Sequence, residues 1–254
     1  MIRTEIAYAK INLALHVRAR EADGYHRIET LFAFCEAGDV VTAAPAETLS
    51  LAVTGPFAEA LAEEGDNLVL RAARAAGAKA ALTLDKRLPV AAGLGGGSAD
   101  AAAVLRMFGG SPEDAAALGA DVPACLLSRT ARGEGRGDRI APVDIAGLSG
   151  TPVLLVNPGV ALATAAVFRG WDGIDRGPLG DWEAGRNDLE APARALVPAI
   201  GAVLEALAGA RIARMSGSGA TCFGLYENEA VRDAAAARIS AEKPGWWLSQ
   251  TRLH

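Results

Sequence analysis

The chain has 254 residues, 51% of them hydrophobic, and a formal net charge of −5. That length suits one large or two small domains with ample core, that apolar content excludes a disordered chain, and the acidic balance supplies no polybasic footprint for nucleic acid. Cys35, Cys125 and Cys222 are odd in number and form no Cys-x-x-Cys, which speaks against a disulfide framework or zinc site; with no signal-peptide layout and no unbroken membrane span, a cytoplasmic protein is expected.

Ile2 to Val17 reads as one or two strands. Lys10 and Asn12 stand two apart there, so alternation puts both on one face. A buried lysine needs a partner, so Lys10 is either a satisfied edge lysine or part of a site. Asp23-Gly24-Tyr25-His26 is a turn bearing an aromatic ring and an imidazole. Ile28 to Phe34 is a further apolar run, and Asp39 to Ala43 and Leu49 to Val53 alternate like strands. Asn67 to Ala78 has helical spacing, with Asp66 as its N-cap.

Ala81 to Leu84 alternates again and leads to Pro89-Val90-Ala91-Ala92-Gly93-Leu94-Gly95-Gly96-Gly97-Ser98-Ala99-Asp100. The order is strand, glycine-rich loop, then a helix of alanines capped by Ser98. Helix N-termini expose unpaired N–H groups and the positive end of the dipole, and glycine lets backbone approach phosphate oxygens. A Walker loop would end in Gly-Lys-Ser/Thr, whereas Ser98-Ala99 follows Gly97. A dinucleotide fingerprint would need glycine where Ser98 stands. A nucleotide phosphate cradle of another kind is the reading, against a plain glycine hinge.

Ser111-Pro112-Glu113 starts a short helix. Gly119 to Cys125 holds one acid, Asp121, which is either a turn residue or a catalytic carboxylate. Arg132 to Asp138 reads as a glycine-rich turn. A break from Ala146 to Pro152 divides the chain into 1–147 and 148–254. Beyond it come a buried strand at Val153 to Val156, a helix at Pro198 to Leu207, a Gly/Ser turn at Met215 to Ala220 running into a strand at Thr221 to Tyr226, and a helix at Ala230 to Ile239. Only four of the 25 basic residues are lysines (Lys10, Lys79, Lys86, Lys243). Lys10 and Lys86 both flank candidate chemistry, where a compact point charge has uses that arginine lacks.

Ala9-Lys10-Ile11-Asn12-Leu13, the Pro89–Ala103 loop and Ser216-Gly217-Ser218-Gly219-Ala220 together resemble the three motifs of the GHMP small-molecule kinases, in order and over nearly the whole chain. Asp23-Gly24-Tyr25-His26, Gly119-Ala120-Asp121-Val122-Pro123, Asn157-Pro158-Gly159 and Asn187-Asp188-Leu189-Glu190 narrow the resemblance. They resemble the branch that acts on 4-diphosphocytidyl-2-C-methyl-D-erythritol in non-mevalonate isoprenoid synthesis. The resemblance implies an α+β, two-domain protein with a ribosomal-protein-like N-terminal α/β domain and a ferredoxin-like C-terminal domain. It also implies transfer of the ATP γ-phosphoryl group to a substrate 2-hydroxyl.

Carried over residue by residue, the resemblance makes Lys10 and Asp121 the catalytic pair. Asn12, Tyr25, His26, Thr164 and Phe168 would meet the substrate, with Tyr25, His26 and Phe168 around the cytosine. Asn67, Lys86, Pro89, Gly93, Leu94, Gly95, Gly96, Gly97, Ser98 and Ala99 would meet ATP. Mg²⁺ is expected with ATP, its protein ligands unassigned. Three features depart from the family pattern: Tyr8 replaces a small residue, Met107 to Leu118 is short, and Ala124-Cys125 replaces a bulkier pair. Other readings are a homoserine- or mevalonate-type sibling and a silent nucleotide-binding sensor. A dinucleotide oxidoreductase is the remaining alternative.

Overall fold

The protein is described by a computed structural model covering residues 1–61 and 67–254. Asp66, expected as a helix cap, lies outside the described residues. Two long antiparallel strands, β1 (Arg3–Arg20) and β2 (His26–Pro45), form the backbone of the first sheet. The sequence suggested two shorter strands where β2 is continuous. Pairing with β1 carries the ladder across Glu36 and Gly38, where the apolar pattern lapses. The other edge of β2 is shared by β4 (Ala80–Asp85) and β5 (Ala131–Gly135); β3 (Ser50–Thr54) and β6 (Arg139–Pro142) lie outside these.

Arg132 to Asp138 was expected to be a turn, yet Arg132 to Gly135 belongs to β5. A Cβ on Gly133 would stand 2.5 Å from the Phe32 ring, so this glycine serves close strand packing and not chain reversal.

Helix α1 (Leu68–Ala75) is capped by Asn67, whose Oδ1 accepts from Val69 N. Helix α2 (Gly96–Phe108) is apolar almost all round and buried from Ala99 to Leu105, as a central helix should be. Helix α3 (Pro112–Leu118) carries the full capping box, Ser111 with Asp114. Helix α4 (Val122–Leu127) follows, with Asp121 at its N-cap.

The second sheet begins after the 143–151 connection. Its order is β10 (Trp247–Arg252), β7 (Pro152–Asn157), β9 (Cys222–Leu225) and β8 (Ile212–Met215), all antiparallel. Helices α5 (Thr164–Arg169), α6 (Glu190–Leu196), α7 (Ala199–Ala206) and α8 (Glu229–Glu242) lie in the same half of the chain. Strand β7 is apolar at every central position because both its faces are covered. Val153 and Leu155 pack toward Ala9, Ile11 and Leu13 of β1, while Leu154 and Val156 pack with Val167, Ile200 and Ile239. A shared core of alternating residues from both sheets therefore joins them. Among the described residues no helix is long and apolar enough to cross a membrane.

Candidate active site

Alternation on β1 does what the spacing predicted. Lys10 and Asn12 point the same way, and Lys10 Nζ donates to Asn12 Oδ1 at 3.0 Å. The same ammonium lies 3.0 Å from Asp121 Oδ2. Lys10 is almost fully buried, whereas the Asp121 carboxylate is 39% exposed and so reachable by substrate. Two of the three ammonium donors are thus engaged, with the Phe32 ring 5.1 Å away on another side. Asn12 is itself held: its Nδ2 donates to Thr30 Oγ1 at 2.8 Å, and Thr30 Oγ1 donates to Ala14 O.

The glycine-rich loop rests directly on this pair. Lys10 N donates to Leu94 O at 2.8 Å. The cap of α2 is Gly95 at φ 63°, with no side-chain cap, and Ser98 lies inside the first turn. This corrects the expectation that Ser98 caps the helix. A residue with a side chain would strain at Gly95 and would bring its Cβ within 3.0 Å of Lys10 Cε. The first helical bond runs from Ala99 N to Gly95 O, so the amides of Gly96, Gly97 and Ser98 remain the unpaired ones. Ala99 therefore has no free N–H to offer a phosphate, and the side chains of Leu94 and Ala99 point into the core. Both support the loop from within. Pro89 is half-buried before it, and Leu68, next to Asn67, approaches Gly97.

The Gly95→Ala variant is expected to lose about 1–2 kcal/mol of stability and roughly 10²-fold in kcat through displacement of Lys10. Thermal melting and steady-state kinetics measure the two separately; an unchanged kcat would show that Lys10 does not need this loop geometry.

Ser216 fastens the third motif to the other two. Its Oγ donates to Gly93 O at 2.8 Å and accepts from Asn12 N at 3.2 Å. Asn187 Nδ2 donates to both Met215 O and Gly217 O, holding the Gly/Ser turn from behind. Thr164, at the start of α5, shares a hydrogen bond of 2.9 Å with Ser218. Ser216, Thr30 and Asn187 carry much of this geometry. Only the motif itself flagged Ser216; nothing local flagged Thr30.

Lys86 is a correction. It was expected at the nucleotide, but its ammonium is buried under Gly96, paired with Asp100 at 2.7 Å and with Asp39. Asp39 Oδ1 also accepts from the amides of Arg87 and Leu88. Lys86 thus fixes the loop's underside. Burial pushes the Asp100 carboxyl up to about 7 despite the neighbouring ammonium, and its Oδ1 has no partner.

On the opposite side, His26 is buried against Phe168, with ring centroids 5.0 Å apart, and edge-on to Trp171. His26 and Phe168, both expected around the cytosine, already touch each other. They form one wall. Tyr25 is exposed and stands apart from that wall, with the Arg136 guanidinium 4.0 Å over its ring. Burial and the nearby Arg20 charge lower the His26 pKa, favouring neutral imidazole. Tyr8, a departure from the family pattern, is accommodated by a ring contact with His254 at 4.2 Å. A cavity of about 790 Å³ lies beside α6, lined by Trp171, Arg176, Arg186, Arg194 and Arg214. It includes neither Lys10 nor Asp121, so the chemistry and not cavity size locates the active site.

Known proteins are similar to this chain along nearly its whole length. Residues 67–129 match the GHMP kinases N terminal domain, and residues 172–245 match GHMP kinases C terminal. A 4-diphosphocytidyl-2-C-methyl-D-erythritol kinase of Rhizorhabdus wittichii is 57% identical, covering 98% of this chain and 94% of the relative. One from Paracoccus denitrificans is 53% identical over 99% of this chain and 97% of its own. The crystal structure of a 4-(cytidine 5'-diphospho)-2C-methyl-D-erythritol kinase superposes with a TM-score of 0.82 at 34% identity, covering 98% of this chain and 99% of that one. Methanococcus jannaschii mevalonate kinase, at 11% identity and a TM-score of 0.68, shares the fold. With that identity carried over nearly full length and the three motifs gathered around Lys10, the chain belongs to the 4-diphosphocytidyl-2-C-methyl-D-erythritol kinase family of GHMP kinases.

Proposed function

We propose that this protein transfers the γ-phosphoryl group of ATP to the 2-hydroxyl of 4-diphosphocytidyl-2-C-methyl-D-erythritol, in the cytoplasm, as a step of non-mevalonate isoprenoid precursor synthesis. The observation that carries the reading is Lys10 Nζ, 3.0 Å from Asp121 Oδ2 and 3.0 Å from Asn12 Oδ1, directly under the Leu94–Gly95 backbone. Phosphoryl transfer depends mainly on positioning and charge stabilisation. Asp121 accepts the hydroxyl proton or orients it. Lys10 fixes that carboxylate and presents positive charge to the transferring group. Asn12 orients the alcohol, and the amides of Gly96, Gly97 and Ser98, backed by the α2 dipole, receive the phosphates.

Among the described residues no three His, Cys, Asp or Glu side chains gather as a metal site. The partly exposed Asp121 carboxylate is a hard oxygen donor, which suits a Mg²⁺ ion carried mainly by ATP phosphates and water. Such an ion supplies charge neutralisation when bound. Residues 1–147 form the ATP side and 148–254 the substrate side. His26 and Tyr25 belong to the first, and Phe168 and Thr164 to the second.

The test is ADP release with Mg-ATP and, separately, the cytidyl substrate, homoserine and mevalonate. Turnover confined to the cytidyl substrate is the expected result. Turnover with another alcohol alone would keep a GHMP kinase and remove this substrate.

A further inference from the structure

Arg20 and His26 are the last residue of β1 and the first of β2, and they face each other in the hairpin register. Arg20 Nε donates to His26 Nε2 at 3.2 Å. Arg20 Nη2 donates to Arg169 O at 3.2 Å and reaches Phe168 O at 3.5 Å. One guanidinium thus touches both the imidazole and the carbonyl end of the helix that carries Phe168. None of the sequence motifs marked it.

The geometry points to Arg20 as a specificity-positioning residue that holds His26 in the Nδ1–H tautomer and fixes the Phe168 end of α5 against it. Guanidinium has five donors and no acceptor, and it does not deprotonate in proteins. The nitrogen facing it must therefore be the lone-pair nitrogen. A neutral imidazole with its lone pair on Nε2 carries its proton on Nδ1. A doubly protonated ring would set two donors face to face. Cationic Arg20 at the C-terminal carbonyls of α5 also suits the helix dipole. Phe168 is thereby kept on the imidazole face, 5.0 Å away.

The consequence concerns base choice, and it rests on the cytidyl reading above. An Nδ1–H donor matches a ring acceptor such as cytosine N3. Uracil offers an N3–H donor at that position, which would meet donor with donor. Arg20 does not touch the base; it determines which group His26 offers.

The tautomer can be read without substrate. The chain has three histidines, so ¹⁵N-histidine labelling with a His26→Gln variant assigns the signals. In the free wild-type protein at neutral pH, a pyrrole-type Nδ1 and a pyridine-type Nε2 are expected. An Nε2–H tautomer would overturn the proposal. Arg20 is exposed, so Arg20→Ala should fold, and melting checks this. In Arg20→Ala the tautomer should shift toward Nε2–H. KM for the cytidyl substrate should rise about 10- to 100-fold with kcat little changed, and the preference over the uridyl analogue should shrink by a similar factor. Arg20→Lys should restore the tautomer, since an ammonium also donates, but not the hold on α5. Unchanged KM and preference in Arg20→Ala would also overturn the proposal. A wild-type protein inactive on the cytidyl substrate would instead remove the functional reading, and the tautomer alone would then decide the role of Arg20.

Discussion

Asp121→Asn is expected to lower kcat by about 10²- to 10⁴-fold while leaving ATP binding and folding essentially intact. The amide keeps the shape of the carboxylate but cannot accept the hydroxyl proton or attract Lys10 as a charge. Asp121 occupies the N-cap of α4 without a side-chain capping bond, so the substitution removes no cap. Its carboxylate is partly exposed, which limits the stability change that follows from losing the 3.0 Å pair with Lys10. Single-turnover rates, ATP titration and thermal melting separate these effects. A kcat within a factor of about ten of wild type would fall below the usual range for a proton-accepting group and would leave Asp121 a bystander.

Lys86→Met carries the largest expected effect on stability. It strands two carboxylates, those of Asp39 and Asp100, in a dry core under the phosphate loop. Removing one partner of a buried pair costs about 3–5 kcal/mol. The cost should depend on pH, and its sign follows from Asp100. The Asp100 carboxyl lies at about 7 in the folded protein against 3.8 ordinarily. Between those values the folded chain binds a proton that the unfolded chain releases. Its contribution is therefore most favourable below the unfolded value and is lost as pH rises through about 7. Without Lys86, Asp100 stays protonated more readily, so the variant should lose less at pH near 5 than near 8. Urea unfolding of both proteins at the two pH values tests this. A small, pH-independent loss would mean the trio contributes no net stability.

Much of the site could be read along the chain because its logic is local. Period-two alternation places Lys10 beside Asn12 on β1 whatever the strand packs against. The capping box at Ser111 and Asp114 closes over three residues. A strand, a glycine-rich loop and an alanine-rich helix announce a phosphate cradle by themselves. Even so, the cap moved to Gly95, because backbone conformation and not side-chain identity sets that helix start.

What lay beyond the sequence depended on partners brought together only by folding. Lys86 looked like a nucleotide ligand because it adjoins the loop; Asp39, 47 residues before it, together with Asp100 turned it inward. A one-dimensional pattern also missed Arg20, whose contact with Phe168 spans 148 residues. The sequence by itself determined the glycine-rich loop between strand and helix, the Lys10–Asn12 face and the membership of a kinase family. Tertiary structure decided which lysine pairs with the partly exposed Asp121 and which is consumed by the core, because burial and ion pairing depend on distances in space that spacing along the chain does not encode.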